Sequence, residues 1–226
     1  MVWAVKQSLL ILFAPAIIVL VIDAYGILVY GFNSLDYYVY RFNIVLWVMM
    51  SISILLIPVS IRLYEKFSLL VDDVLGSFDK SRFLEILVLL FATISVFALQ
   101  EYLTSTILFK RVEDYGKLLR ALYTGFPLIL RYMYALVYPV VIAVGEEMFF
   151  RGYGVKALST RRIAYPYIVA SIAYGLWYGI GMPFYSLGAV IIGLIYSFFY
   201  VNRGLSLKSI ILAHYLALLI GCVGAI

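Results

Sequence analysis

Long apolar runs separated by short polar links dominate the chain, and each run approaches the ~20 residues of helix needed to cross a bilayer. The first run, Leu9 to Phe32, carries Pro15 and Asp23. It is too long and irregular for the core of a cleavable signal peptide, so it predicts a retained helix. A tyrosine-rich link, Leu35 to Phe42, leads into a second helix from Ile44 to Ile61. Arg62 to Arg82 is the long polar stretch of the first half, and its amphipathic pattern predicts a segment lying at the membrane surface. Helix three spans Phe83 to Phe109 with Glu85 and Glu101 inside it, followed by a charged link, Lys110 to Arg120, that turns at Gly116. Helix four runs from near Leu128 to beyond Arg151. Three shorter crossings complete the pattern: Tyr165 to Ile180, Phe184 to Val201 after a tight Gly181-Met182-Pro183 turn, and Leu207 to Ile226. The prediction is an all-α, polytopic integral membrane bundle of about seven transmembrane helices. It divides into N-terminal helices with the amphipathic segment, residues 1–120, and a helical core, residues 121–226.

Composition agrees with this pattern, because hydrophobic residues are 65% and charged residues 13% of the 226 positions. A soluble domain of this size cannot hide that much apolar surface. Cys222 is the single cysteine, so no internal disulfide can form. The net charge of +5 does not call for nucleic acid, since basic residues of membrane proteins gather in cytoplasmic loops and meet anionic head groups. With seven helices, eleven of the 17 basic residues fall on the side of the N-terminus and six on the other. That bias predicts a cytoplasmic N-terminus in the cell membrane, with the lipid bilayer as the partner.

Ionisable groups in apolar helices are costly, at ~2.5–3.5 kcal/mol each for Asp, Lys or Arg near a helix centre, and need an explanation. In Val144-Gly145-Glu146-Glu147-Met148-Phe149-Phe150-Arg151, Glu147 and Arg151 stand four apart with the acid first, the favourable order for an intrahelical ion pair. Glu146 is turned about 100° away and has no such partner. A carboxyl desolvated in this way is how a general base is tuned. A structural ion pair near a helix end, with Glu146 hydrogen-bonded to a neighbouring helix, is the plain alternative. The lone histidine, His214, could act on an oxyanion, serve as an acid, or be a satisfied core residue. It lies roughly 10 Å along its helix from Leu207, at a depth comparable to that of Glu146. Asp23 or Glu101 could pair with Arg131 across helices, while Glu85, near Arg82, is expected at the solvated interface. The same charges could instead line the ion path of a small transporter, but the inverted repeats and paired broken helices of that design are not found in the sequence.

The ordered set of Glu-Glu-x-x-x-Arg at 146 to 151, an aromatic segment after about 25 residues, the Gly188 to Gly193 helix, the Asn202-Arg203-Gly204-Leu205 turn and His214 resembles the CPBP family of intramembrane proteases. That family includes the type II CAAX prenyl endopeptidases and the bacteriocin-immunity, abortive-infection-like proteins. The likeness covers Leu128 to Leu218. It implies an intramembrane endopeptidase in which Glu146 activates the attacking water, Glu147 and Arg151 accompany it, and His214 steadies the oxyanion. The family's Phe-x-x-x-His motif aligns with Tyr174-Gly175-Leu176-Trp177-Tyr178, so Tyr178 stands where a histidine is expected. Leu218 stands where the motif that begins at His214 ends in Asn or Asp.

Both departures weaken the chemistry. A phenol with a free pKa of about 10 is a poor base at neutral pH, leucine donates nothing, and one lost oxyanion donor typically costs ~10²–10³ in turnover. Tyr178 also has a plain reading as one of 21 tyrosines, many of them packing or interfacial. A zinc protease site usually takes two histidines and a carboxylate, so the expectation is a metal-free attack, with a divalent ion at Glu146 and His214 left open. The resemblance implies a lipidated peptide or a transmembrane segment as substrate. The alternative is a catalytically impaired member serving as a membrane scaffold or immunity protein.

Overall fold

The computed structural model describes residues 2–32, 34–63, 80–108, 127–160 and 165–224. Among these, the regular elements are all helical: α1 (Val2–Tyr30), α2 (Leu35–Tyr40), α3 (Leu46–Leu63), α4 (Phe83–Leu103), α5 (Leu128–Glu146), α6 (Lys156–Thr160), α7 (Pro166–Trp177), α8 (Pro183–Asn202) and α9 (Leu207–Gly224). Wider π-helical turns continue three of the axes. Arg41–Val45 joins α2 to α3, Thr104–Leu108 extends α4, and Glu147–Val155 joins α5 to α6. The described residues thus form an all-α membrane bundle of seven helical axes. Four stretches, Val5–Tyr30, Asp36–Leu63, Phe83–Leu108 and Pro183–Asn202, are each long and apolar enough to cross a membrane.

The elements differ from the sequence expectation in particular places. α1 starts well before Leu9, because nothing from Val2 onward breaks a helix. The tyrosine-rich stretch from Leu35 is itself helical and continuous with the second pass. Ser34 caps it, its Oγ accepting the Tyr37 N–H at 3.0 Å and donating to the Gly31 carbonyl at 3.0 Å. α7 stops at Trp177, three residues before Ile180, because Gly179 takes the left-handed conformation (φ +78°) that ends helices. Pro183 opens α8 at its first position, as the Gly-Met-Pro turn predicts. Residues 64–79 of the amphipathic segment and the whole Lys110 to Arg120 link lie outside the described residues.

Lipid-facing positions are apolar, with Leu10, Leu28, Leu84, Phe91 and Ile129 all exposed, while polar groups turn inward. α5 and the π turn after it sit at the centre, touched by α3, α7 and α9. α9 packs on α4 and α5, and α7 lies between α1 and α8. Gly145 makes the central contact possible, because a Cβ there would collide with the backbone carbonyl of Ser53 on α3. Gly188 and Gly193 serve packing inside the chain in the same way, against Gln100 on α4 and Ser171 on α7.

The other acidic groups of the helices, buried in the case of Asp23, bond across helices. Asp23, fully buried on α1, does not reach toward Arg131 but forms an ion pair with Arg41, a residue within the stretch expected to be a link. Glu101 accepts from the Tyr185 hydroxyl. Glu85 bonds Arg82 at 3.0 Å and Arg203 at 3.3 Å, which ties the start of α4 to the end of α8.

Gly145→Ala is expected to destabilise the bundle by about 1–3 kcal/mol, because the helix backbones must separate. Equilibrium unfolding in mixed micelles measures it, and an unchanged midpoint would mean that α3 and α5 do not approach this closely.

Candidate active site

Glu146 closes α5 and Glu147 opens the π turn, so the two carboxylates leave the same pass at the point where its helical repeat widens. Wider π turns recur at functional sites because they redirect side chains without breaking the helix. Both carboxylates are completely buried, as are His214, Arg151 and Trp177. In hydrocarbon, each must find its partners within the protein.

Glu147 is shared. Its Oε2 faces Arg151 Nε at 3.3 Å, the intrahelical pair predicted from the spacing, and its Oε1 meets His214 Nδ1 at 2.8 Å. The Arg151 guanidinium lies over the Tyr174 ring, 4.1 Å from its centroid, and 5.5 Å from that of Tyr196. Tyr196 also stands edge-on to the His214 ring, with centroids 5.7 Å apart, and its hydroxyl is 2.6 Å from Thr93 Oγ1 on α4. The ion pair is therefore walled by two tyrosines and anchored to α4, α7, α8 and α9.

Glu146 has a separate set of partners. The Trp177 indole donates to Oε1 at 2.7 Å, and the Tyr178 hydroxyl donates to Oε2 at 3.2 Å. The Tyr174 hydroxyl is 3.4 Å from that of Tyr178, which continues the chain of polar groups back towards Arg151. Tyr178 is only partly buried, so it is the member of this set nearest the outside. His214 is within electrostatic range of Glu146, although its hydrogen bond goes to Glu147. All five candidates from the sequence, Glu146, Glu147, Arg151, Tyr178 and His214, thus enter one connected cluster. Leu218 follows His214 by one turn of α9 and brings no polar group to it.

Three members were not foreseen. Trp177 is the nearest donor to Glu146, and a buried indole N–H in need of an acceptor was the available signal. Tyr174 stands at the aromatic position of the Phe-x-x-x-His alignment, which gave it no polar role, and Tyr196 had no signal among so many tyrosines. Within this cluster, Glu147 Oε2, Arg151 Nη1 and Nη2 and His214 Nε2 are buried without a hydrogen-bond partner. No group of three or more His, Cys, Asp or Glu side chains among the described residues is arranged to hold a metal ion. Chemically, the cluster offers a carboxylate between two neutral donors beside an imidazole with one open nitrogen.

Glu147→Ala would leave the Arg151 charge buried without a counter-ion. It is expected to cost about 3–5 kcal/mol, whereas the isosteric Glu146→Gln costs much less. Unfolding of both variants in the same micelles tests the difference, and equal losses would show that Glu147 does not hold the cluster.

Residues 127–220 match the family model described as type II CAAX prenyl endopeptidase, Rce1-like. No curated protein and no solved structure matches the chain. The match contains Glu146, Glu147, Arg151, Tyr178 and His214 and begins beside α5. Over this C-terminal region, the chain is similar to the Rce1-like type II CAAX prenyl endopeptidases.

Proposed function

We propose that the chain is a glutamate-dependent intramembrane endopeptidase acting on a membrane-associated or prenylated peptide. The supporting observation is the buried Glu146 carboxylate, held on the Trp177 and Tyr178 donors beside a His214 whose Nε2 is open. In this reaction Glu146 takes a proton from water, and the hydroxide adds to the scissile carbonyl carbon. With Glu147 as counter-ion, the protonated His214 ring donates from Nδ1 to Glu147 and from Nε2 to the oxyanion. The C–N bond then breaks, and the proton held by Glu146 passes to the departing amine. Arg151 balances the second carboxylate so that Glu146 alone acts as base.

No metal takes part in this scheme. The N-terminus is on the cytoplasmic face of the cell membrane, a reading that rests on the bias of basic residues. A lipid anchor or a transmembrane segment would bring the peptide to the site from the bilayer.

A second reading has its own support. Both Glu146 oxygens are engaged by protein donors, and Leu218 lacks the polar group of its motif. An impaired member of this type would use the cluster to hold its shape and act as a membrane scaffold or immunity protein.

Glu146→Gln is expected to abolish hydrolysis of a prenylated peptide by protein reconstituted in liposomes, with expression unchanged. Mass spectrometry of the released fragment reads the result, and equal cleavage by the variant removes the proposed base. Wild-type protein that binds the peptide saturably without cutting it supports the scaffold reading instead. Tyr178→His, which introduces an imidazole, is expected to raise turnover by about tenfold or more in the same assay. An unchanged or lower rate would show that the hydroxyl is not a weak substitute for the ring.

A further inference from the structure

A helix of twelve residues covers about 18 Å, well short of the ~30 Å hydrocarbon layer. α7 ends at Trp177, and the backbone turns through Gly179 before α8 opens at Pro183. Asp23 of α1 touches this turn. Gly179 and Gly181 are buried, and buried irregular backbone persists only where the protein itself satisfies its polar groups. The turn meets that demand at three points. Asp23 Oδ2 accepts the Gly181 N–H at 2.7 Å, Arg41 Nη2 donates to the Tyr178 carbonyl, and Ser186 Oγ donates to the Gly179 carbonyl. Arg41 Nη1 and the Tyr37 hydroxyl, at 2.5 Å, both donate to Asp23 Oδ1.

The fit around the turn is close. A Cβ on Gly179 would meet the Asp23 carboxylate and Arg41, and one on Gly181 would strike the Tyr37 ring. Asp23 is completely buried, so its charge is compensated only by these donors. The residue clasped by its backbone carbonyl, Tyr178, is the one whose hydroxyl donates to Glu146. Trp177, the other donor to Glu146, immediately precedes it.

We infer that Asp23 and Arg41 are positioning residues for the site: their ion pair fastens the Tyr178–Gly181 turn and thereby sets the Trp177 and Tyr178 donors on the Glu146 carboxylate. The clasp comes from α1 and the π turn after α2, outside the region shared with the Rce1-like family. The N-terminal helices thus complete the site as well as anchor it. The inference rests on the proposed function only for the meaning of the site, since the geometry it concerns is there whether or not the chain cuts peptides.

The test uses the full chain in detergent micelles with Trp3 and Trp47 replaced by Phe, so that Trp177 is the one indole. Ultraviolet resonance Raman reads the strength of the indole N–H hydrogen bond to Glu146, and thermal unfolding is followed in parallel. Arg41→Lys keeps a cation for Asp23, but its compact ammonium cannot also serve the Tyr178 carbonyl as the guanidinium fork does. The expected result is a shift of the Trp177 N–H band towards a weaker hydrogen bond. Glu85→Gln, which breaks the ion pairs to Arg82 and Arg203, is expected to lower the unfolding temperature with the band unmoved. A folded Arg41→Lys protein with an unmoved band overturns the inference, because the ion pair would then be a staple of the fold alone. If Arg41→Lys does not fold, Tyr37→Phe, which removes one donor from Asp23 and keeps the ion pair, is read the same way. A smaller shift in the same direction supports the clasp, and no shift overturns it. Because the band is read without substrate, this outcome is separate from the Glu146→Gln hydrolysis result.

Discussion

A carboxylate in hydrocarbon must be surrounded by donors from the same chain, and that requirement governs how these helices are arranged. Glu147 gathers Arg151 from its own pass as an ion-pair partner and His214 from α9 as a hydrogen-bond partner. Glu146 draws in the end of α7 through Trp177 and Tyr178. Asp23 does the same for α1, the start of the second pass and the turn before α8. Burying such groups is expensive and packed apolar residues would often be as stable or more so. What the charges contribute is specificity, since a slip of one helix past another would strand an ion without its partner.

The two polar centres are linked through Tyr178, whose carbonyl belongs to one and whose hydroxyl belongs to the other. The family match begins after the N-terminal helices, yet the cluster inside it is bounded by groups from α1 and the second pass. The division expected near residue 120 separates stretches of sequence that share a polar interior.

Much of the architecture could be read from the chain because apolar runs of membrane length leave few alternatives. The Glu147–Arg151 pair followed from a four-residue spacing, and the helix starts at Phe83 and Leu207 from the polar residues before them. Contacts that depend on the third dimension were hidden. Nothing local distinguishes Tyr196 from its many fellow tyrosines, and the partner of Asp23 lay in a stretch whose aromatic content suggested a link. The histidine found Glu147 instead of Glu146 because the helical repeat widens at that point, a change of geometry that the residue types do not announce. Trp177 stands one position before Tyr178 in the same motif, at a place to which the motif assigns no polar role.

The brevity of α7 also matters to the lipid around it. At about 18 Å, α7 is shorter than its neighbours, and the polar turn that closes it is covered by Asp23, Tyr37 and Arg41 of the first two helical axes, which keeps it from the acyl chains.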